Sequence, residues 1–424
     1  MVRAALALRT QEAAEWSVAM AVWPLHLLLS APAYLYLATL TIMLFRPPDL
    51  DLYHLDRFAF VLLCFVAILR ALWRGTTVVQ WRITLPMSAL LVLAVASAAA
   101  QPFDPQTWSL LSAEFLVPFA LFHLAGVVFD DQDSRHKFEI FAVLVLAYLS
   151  FQAIVFLVGA TGLVFPRYIL DESVGIHIDR ARGPFLQAVA NGVSLIVLAL
   201  IVIDCYRRRT LSWAGRFVLA SVPVAVFATM TRAVWIAALF SIVGLMVVVR
   251  SAHVRRACCG LLLTAAIALG VLFSVPTWRD AWFDRATEAG PVEIRAAIYE
   301  ASWDMIRERP LLGWGQNRMP SEVARRMPDY DLDAYWAHNT YLEVLVEHGA
   351  VGLGLYLCVI VALFRLPRLQ QPSSGDTNLG TIWPIIFAVY LFNAMFVVMN
   401  YQFVNALVYT IAGIVARDPD TAES

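Results

Sequence analysis

The chain has 424 residues, 60% of them hydrophobic and 15% charged, with a mean hydropathy of +0.70. A soluble domain cannot bury that much apolar surface, so the composition points to an all-α polytopic membrane protein. The formal net charge of −1 offers no basic surplus for a nucleic acid partner, and Lys137 is the one lysine among 31 basic residues. Arginine's planar fork suits phosphate recognition, although genomic base composition produces the same bias.

The N-terminal "MVRAALALRTQEAAEW" is too interrupted by charge for a signal peptide and reads as a short cytoplasmic arm. A helix needs about 20 mostly apolar residues to cross a bilayer. On that rule the predicted spans lie near 17–45, 57–73, 83–99, 108–128, 137–159, 187–206, 211–229, 232–249, 257–275, 340–364, 382–398 and 402–416. The first run holds Pro24 and Pro32 and reads as one bent helix, giving about twelve transmembrane helices. Nine precede residue 275, a large loop occupies 276–339, and residues 340–424 hold the last three helices and a short cytoplasmic tail. The five cysteines lie in or beside apolar runs without spaced histidine partners, so neither a disulfide framework nor a metal site is expected.

Basic residues gather in cytoplasmic loops. Arg70, Arg74 and Arg82 share one side with "SRHK" (134–137), "RRR" (207–209), "RSAHVRR" (250–256) and "RLPR" (365–368). The opposite side receives residues 160–186, the "TMTR" turn and the long loop, which is rich in arginine and tryptophan where basic residues are normally sparse. A connection of that length without a function is uncommon.

Glu114 lies inside a span near its outer end, and an intramembrane carboxylate is a functional candidate that an arginine could partner. Arg180 and Arg182 precede the span at 187, and Asn191 lies in its first turn. Arg232 stands between two apolar runs in "ATMTRAVW". Arg279, Arg285 and Arg295 lie in the long loop. Several arginines from separate segments can converge on a diphosphate, while each taken singly also reads as a surface or snorkelling residue.

Within the loop, Ile294, Ile298, Ala301 and Met305 recur at spacings of four, three and four, an amphipathic helix that Pro310 ends. Gly313 and Gly315 predict a tight turn that lays Trp314 and Asn317 near the membrane surface, and Ser321 is a start for a short helix through Arg326. Trp278, Trp282, Trp303, Trp314 and Trp336 suit an interfacial belt or stacking on sugar rings. Asp329, Asp331 and Asp333 alternate like a calcium loop, but Ala334 and Thr340 stand where its glycine and glutamate belong, so a solvated acidic edge is the reading kept. Thr340 and Glu343 spell a capping box for the next span, placing His338 and Asn339 just before a helix N-terminus, where an anion is favoured. A histidine with a reference pKa of about 6.5 is a base there or a bland interfacial residue; spacing alone leaves both open.

Three stretches resemble the O-antigen ligase and polymerase superfamily of bacterial membrane glycosyltransferases. "RARGPFLQAVANGVSL" (180–195) is similar to the family's Arg-x-Gly-x-Phe segment, and "TMTRAVW" to its Thr-x-Ser-Arg turn. "RAAIYEASWDMIRERPLLGWGQN" followed by "HNTYLEVLVEHG" is similar to its Arg-helix-Pro-Leu-Leu-Gly-x-Gly element and its His, ten residues, Gly motif. Tyr299 departs from the Arg-x-x-x-Leu pattern, and Thr231 replaces a serine. The resemblance implies a GT-C-like fold with one large, partly helical periplasmic loop in the bacterial inner membrane. It implies transfer of O-antigen from undecaprenyl diphosphate to lipid A-core, inverting and without a metal or other cofactor. Catalytic residues would be His338, Arg295 and Arg232. Diphosphate or glycan contacts would come from Arg182, Arg180, Asn191, Arg285, Asn339, Trp336 and Glu114. The dominance of one outer loop favours a ligase over a polymerase. A lipid-linked glycan transporter is the rival class, but its midplane polar clusters and repeats are not evident.

Overall fold

The computed structural model describes residues 31–46, 54–76, 79–175, 178–276, 279–280, 283, 290–328, 333–366 and 379–416. Every regular element among them is helical. In chain order these are α1 (Pro32–Leu44), α2 (His54–Arg74), α3 (Trp81–Ala99), α4 (Pro105–Val128), α5 (Gln132–Leu157), α6 (Ala188–Arg207), α7 (Trp213–Ala228), α8 (Arg232–Val248) and α9 (Ala252–Ser274). They continue with α10 (Gly290–Glu308), α11 (Met319–Arg325), α12 (Thr340–Phe364), α13 (Trp383–Ala394) and α14 (Gln402–Ala416).

Each of the twelve apolar runs meets a helix. Six of these, α3 to α6, α9 and α12, are long and apolar enough to cross a membrane, and five shorter ones are apolar. This is a polytopic membrane arrangement. The helix α6 is buried along nearly its whole length, with Asn191, Ser194 and Asp204 inside it, so it forms the centre of the bundle. Phe58, Val61 and Phe65 on α2, and Leu263, Ile267 and Val271 on α9, are exposed instead. Such an apolar outer wall suits lipid.

Arginines of two of the basic loops pair with acids of neighbouring elements. Arg70 and Arg74 both bind Asp130, at 3.0 and 2.6 Å, joining the end of α2 to the α4–α5 turn. Arg208 bridges Asp204 and Glu139 at 2.8 and 2.6 Å, joining α6 to α5.

Three local readings are corrected. Pro32 opens α1 within its first turn, where a missing N–H costs nothing, instead of bending it. The cap of α12 is Asn339, whose side chain accepts from the amides of Tyr341 and Leu342 at 3.0 and 3.1 Å. Thr340 is thereby the first helical residue, and its hydroxyl donates to Val397 O and accepts from Met399 N. That pairing also ends α13 at Ala394, short of the predicted 398, because residues 397–399 leave the helix to reach Thr340. Pro24, Trp278, Trp282, Asp329 and Asp331 lie outside the described residues.

Candidate active site

The long loop is bound into α12. Gly349 interrupts that helix with φ 65° and ψ −167°, which frees the carbonyls of Val346 and Glu347 and the amides of Ala350 and Val351. The segment after α10 takes up all four. Trp314 N and Gly315 N donate to Val346 O and Glu347 O at 2.9 and 2.8 Å, while Ala350 N and Val351 N donate to Pro310 O and Leu311 O at 2.8 and 3.2 Å. Two intrahelical bonds are exchanged for four to the loop, so the four freed backbone groups are all paired. Glycine is needed on both sides of the seam. A Cβ on Gly349 would strike Leu311 O, and one on Gly313, φ 70°, would strike Glu347 O. Gly349 is thus the opening that admits the loop, not a close-packing position in a continuous helix.

Beyond the seam the loop reaches into the bundle. Gln316 is buried; its Nε2 donates to Glu114 Oε2 at 3.0 Å, and its Oε1 lies 3.0 Å from His348 Nε2. Asn317 Nδ2 donates to Thr107 Oγ1 at 3.2 Å, and Arg318 Nε to Gln101 Oε1 at 2.6 Å. The Glu347 carboxylate accepts from the backbone of Asn317 and Met319. Glu114 sits in a π-helical turn, Ser112–Leu116, and the partner it has is Gln316 instead of an arginine. With Glu343, Thr340, Tyr356, Tyr390 and Tyr409 it lines a cavity of about 20 Å³, room for roughly one water. Trp314 is held inside the loop, its ring between Arg309 and Arg326 at 4.3 and 4.8 Å and its Nε1 donating to Met305 O.

The amphipathic helix forms as α10 and buries Ile298, Ala301 and Met305 against α11 and the head of α12; α11 begins at Met319, two residues before the expected Ser321. Arg295 projects beside the buried stripe and lies close enough to His338 for its charge to act on the imidazole. His338 is half-buried, with a left-handed φ of 49°. Burial first, and Arg295 second, hold its pKa below the usual histidine value. The ring is therefore neutral at pH 7 and fit to accept a proton. Trp336, two residues before it, is exposed.

A second group assembles around the start of α6. Ala181 N donates to Ala228 O at 3.0 Å, and Asn191 Nδ2 donates to Ala181 O at 2.7 Å. This joins the 178–187 loop to the turn that carries Arg232. Arg232 is exposed as the first residue of α8, and the turn is held by Trp235, which stacks on Phe227 and donates to Val226 O. Arg180 is buried with its Nε 3.5 Å from Asp179 Oδ2. Arg182 is buried more deeply, its Nε and Nη1 donating to Ile169 O and Val174 O at 2.9 and 2.7 Å and its Nη2 to Asp171 O. Each of its three nitrogens thus donates to a backbone carbonyl, and its fork organises residues 169–182. The two groups connect through Val397–Tyr401: Met399 binds Thr340, and Tyr401 is hydrogen-bonded to Gln187. Arg285 lies outside the described residues.

Between α6, α7, α8 and α9 lies an apolar cavity of about 450 Å³, reaching from Phe227 and Trp235 beside the Arg232 turn to Leu219, Leu245 and Leu261. Gln316, Glu343, Glu347 and His348 were missed in the sequence. The rule that singled out Glu114 applies equally to the last three, charged or polar residues in an apolar span.

Arg295 gives a pH test. Because its positive charge disfavours the imidazolium, Arg295→Gln is expected to raise the His338 pKa and move the acid limb of the rate profile to higher pH. An unmoved limb in a pH–rate series would show that the two groups do not interact.

Residues 216–357 match the family model described as O-antigen ligase. The matched stretch runs from α7 into α12 and holds Arg232, Arg295, His338, Asn339 and Gly349. No curated protein matches the chain.

Proposed function

From an O-antigen ligase family domain in a polytopic membrane enzyme of the ligase and polymerase superfamily, we propose that this protein transfers O-antigen polysaccharide from undecaprenyl diphosphate to a sugar hydroxyl of lipid A-core. The reaction takes place on the periplasmic face of the inner membrane, in a GT-C-like fold of about twelve spans. The observation that carries this reading is His338, neutral and half-buried beside Arg295 at the head of α12.

His338 accepts the proton of the acceptor hydroxyl as its oxygen attacks the anomeric carbon. The bond from that carbon to the diphosphate breaks, and the electron pair leaves with undecaprenyl diphosphate. In-line attack inverts the anomeric configuration. Arg295 and Arg232 stabilise the charge that develops on the diphosphate, with Arg180 as a further cation, so the chain's own cations supply the charge. Asn191 and Arg182 hold the loop that carries Arg180. The apolar cavity below Trp235 suits the prenyl chain of a donor whose diphosphate lies at Arg232. Asn339 caps α12 and orients its neighbour His338. Glu114 acts at one remove, through Gln316, on the seated loop.

Purified protein given undecaprenyl-diphosphate glycan and lipid A-core should form product without an energy source. Elongation of a second donor glycan would identify a polymerase, and translocation without transfer a transporter. Arg232→Lys keeps the charge and loses the fork, and should lower kcat/KM about tenfold. Wild-type kinetics in that variant would rule out a bidentate diphosphate contact.

A further inference from the structure

A second cationic cluster lies at the other end of α6 from Asn191, outside the proposed chemistry. Arg209 follows α6 with a left-handed φ of 62°, and its Nη2 is 2.8 Å from His253 Nε2. Arg256, three residues along α9, places its own Nη2 2.7 Å from the other ring nitrogen, Nδ1. A guanidinium only donates, and a neutral imidazole accepts at one nitrogen and donates at the other. Whichever tautomer is drawn, one contact sets donor against donor, and a protonated ring makes both so. Among the described residues the acids at this end are engaged elsewhere: Asp204 and Glu139 by Arg207 and Arg208, Asp130 and Asp131 by Arg70 and Arg74, and Asp133 by Lys137, and residues 249–259 contain no carboxylate. Arg250 and Arg255 add two exposed cations.

An acceptor with several oxygens resolves this arrangement, since a phosphate takes hydrogen bonds from two forks and a ring N–H together. The cluster stands where apolar helices end, with Trp213 and Phe217 exposed on α7 beside it and Leu262 and Leu263 exposed on α9. Acyl chains have a wall to follow there, which a free anion would not require. The arginine excess expected of a cytoplasmic loop explains the sign of the charge; it does not explain why two forks converge on one ring. We infer that Arg209, His253 and Arg256 bind the phosphate of an anionic phospholipid in the leaflet that the basic loops assign to the cytoplasm.

The test is native mass spectrometry of the purified full-length protein titrated with phosphatidylglycerol or phosphatidylcholine. The wild type should retain phosphatidylglycerol preferentially. Arg209→Gln with Arg256→Gln should weaken that preference about tenfold, while Arg255→Gln, which removes a like charge outside the cluster, should leave it within twofold of wild type. If the double variant does not fold, Arg256→Gln alone carries the comparison at about threefold. Equal retention of the two lipids by the wild type, or equal losses in the cluster variant and Arg255→Gln, would overturn the assignment. Displacement of phosphatidylglycerol by millimolar inorganic phosphate would also overturn it, giving the cluster to a free anion.

Discussion

Replacing His338 with alanine is expected to lower glycan transfer about a thousandfold, within the range that one positioned base contributes, while donor binding survives. Among the described residues the side chain makes no hydrogen bond: the cap of α12 belongs to Asn339, and the pairing to residues 397–399 belongs to Thr340. Loss of the ring therefore removes a proton acceptor without unfastening the helix. Thermal unfolding should stay close to wild type, and a fluorescent donor lipid should bind with unchanged affinity. Transfer above a tenth of the wild-type rate, with the fold intact, would show that another group is the base.

Gly349→Ala should fail for the opposite reason, through structure. Its φ and ψ lie in a region that is essentially glycine's own, at a cost of about 1–3 kcal/mol for other residues, and the new methyl group would meet Leu311 O. Relief of that clash requires the loop to withdraw, giving up four backbone hydrogen bonds of roughly 1 kcal/mol each. A fall of several degrees in the unfolding midpoint and loss of transfer are expected together. Gly354→Ala is the control, because a Cβ there meets nothing within 4 Å, and it should be neutral or slightly stabilising. Parity of the two variants in a thermal melt would mean that the seam carries no load.

Hydrophobic runs located the helices well, because burial in lipid writes a continuous apolar pattern into the chain. The cap was misassigned since Asn339 and Thr340 are both good N-caps, and only the demand of residues 397–399 for the threonine hydroxyl decides between them. The seam between Pro310–Gly315 and Val346–Val351 left two glycines as its trace, with nothing to say that they face each other. Hydrogen bonds exchanged between segments some 35 residues apart have no periodicity to detect. Arginines pose the same difficulty: Arg182 and Arg295 look alike in sequence, yet one fork closes on carbonyls and the other lies beside an imidazole.

The break at Gly349 also bears on how the chain is assembled. Pro310–Gly315 leaves the ribosome before α12 does, so the strand that will satisfy the broken helix already exists when the helix enters the membrane. Until the two meet, α12 can satisfy its amides only as an uninterrupted helix. Docking of the loop then becomes the event that bends it.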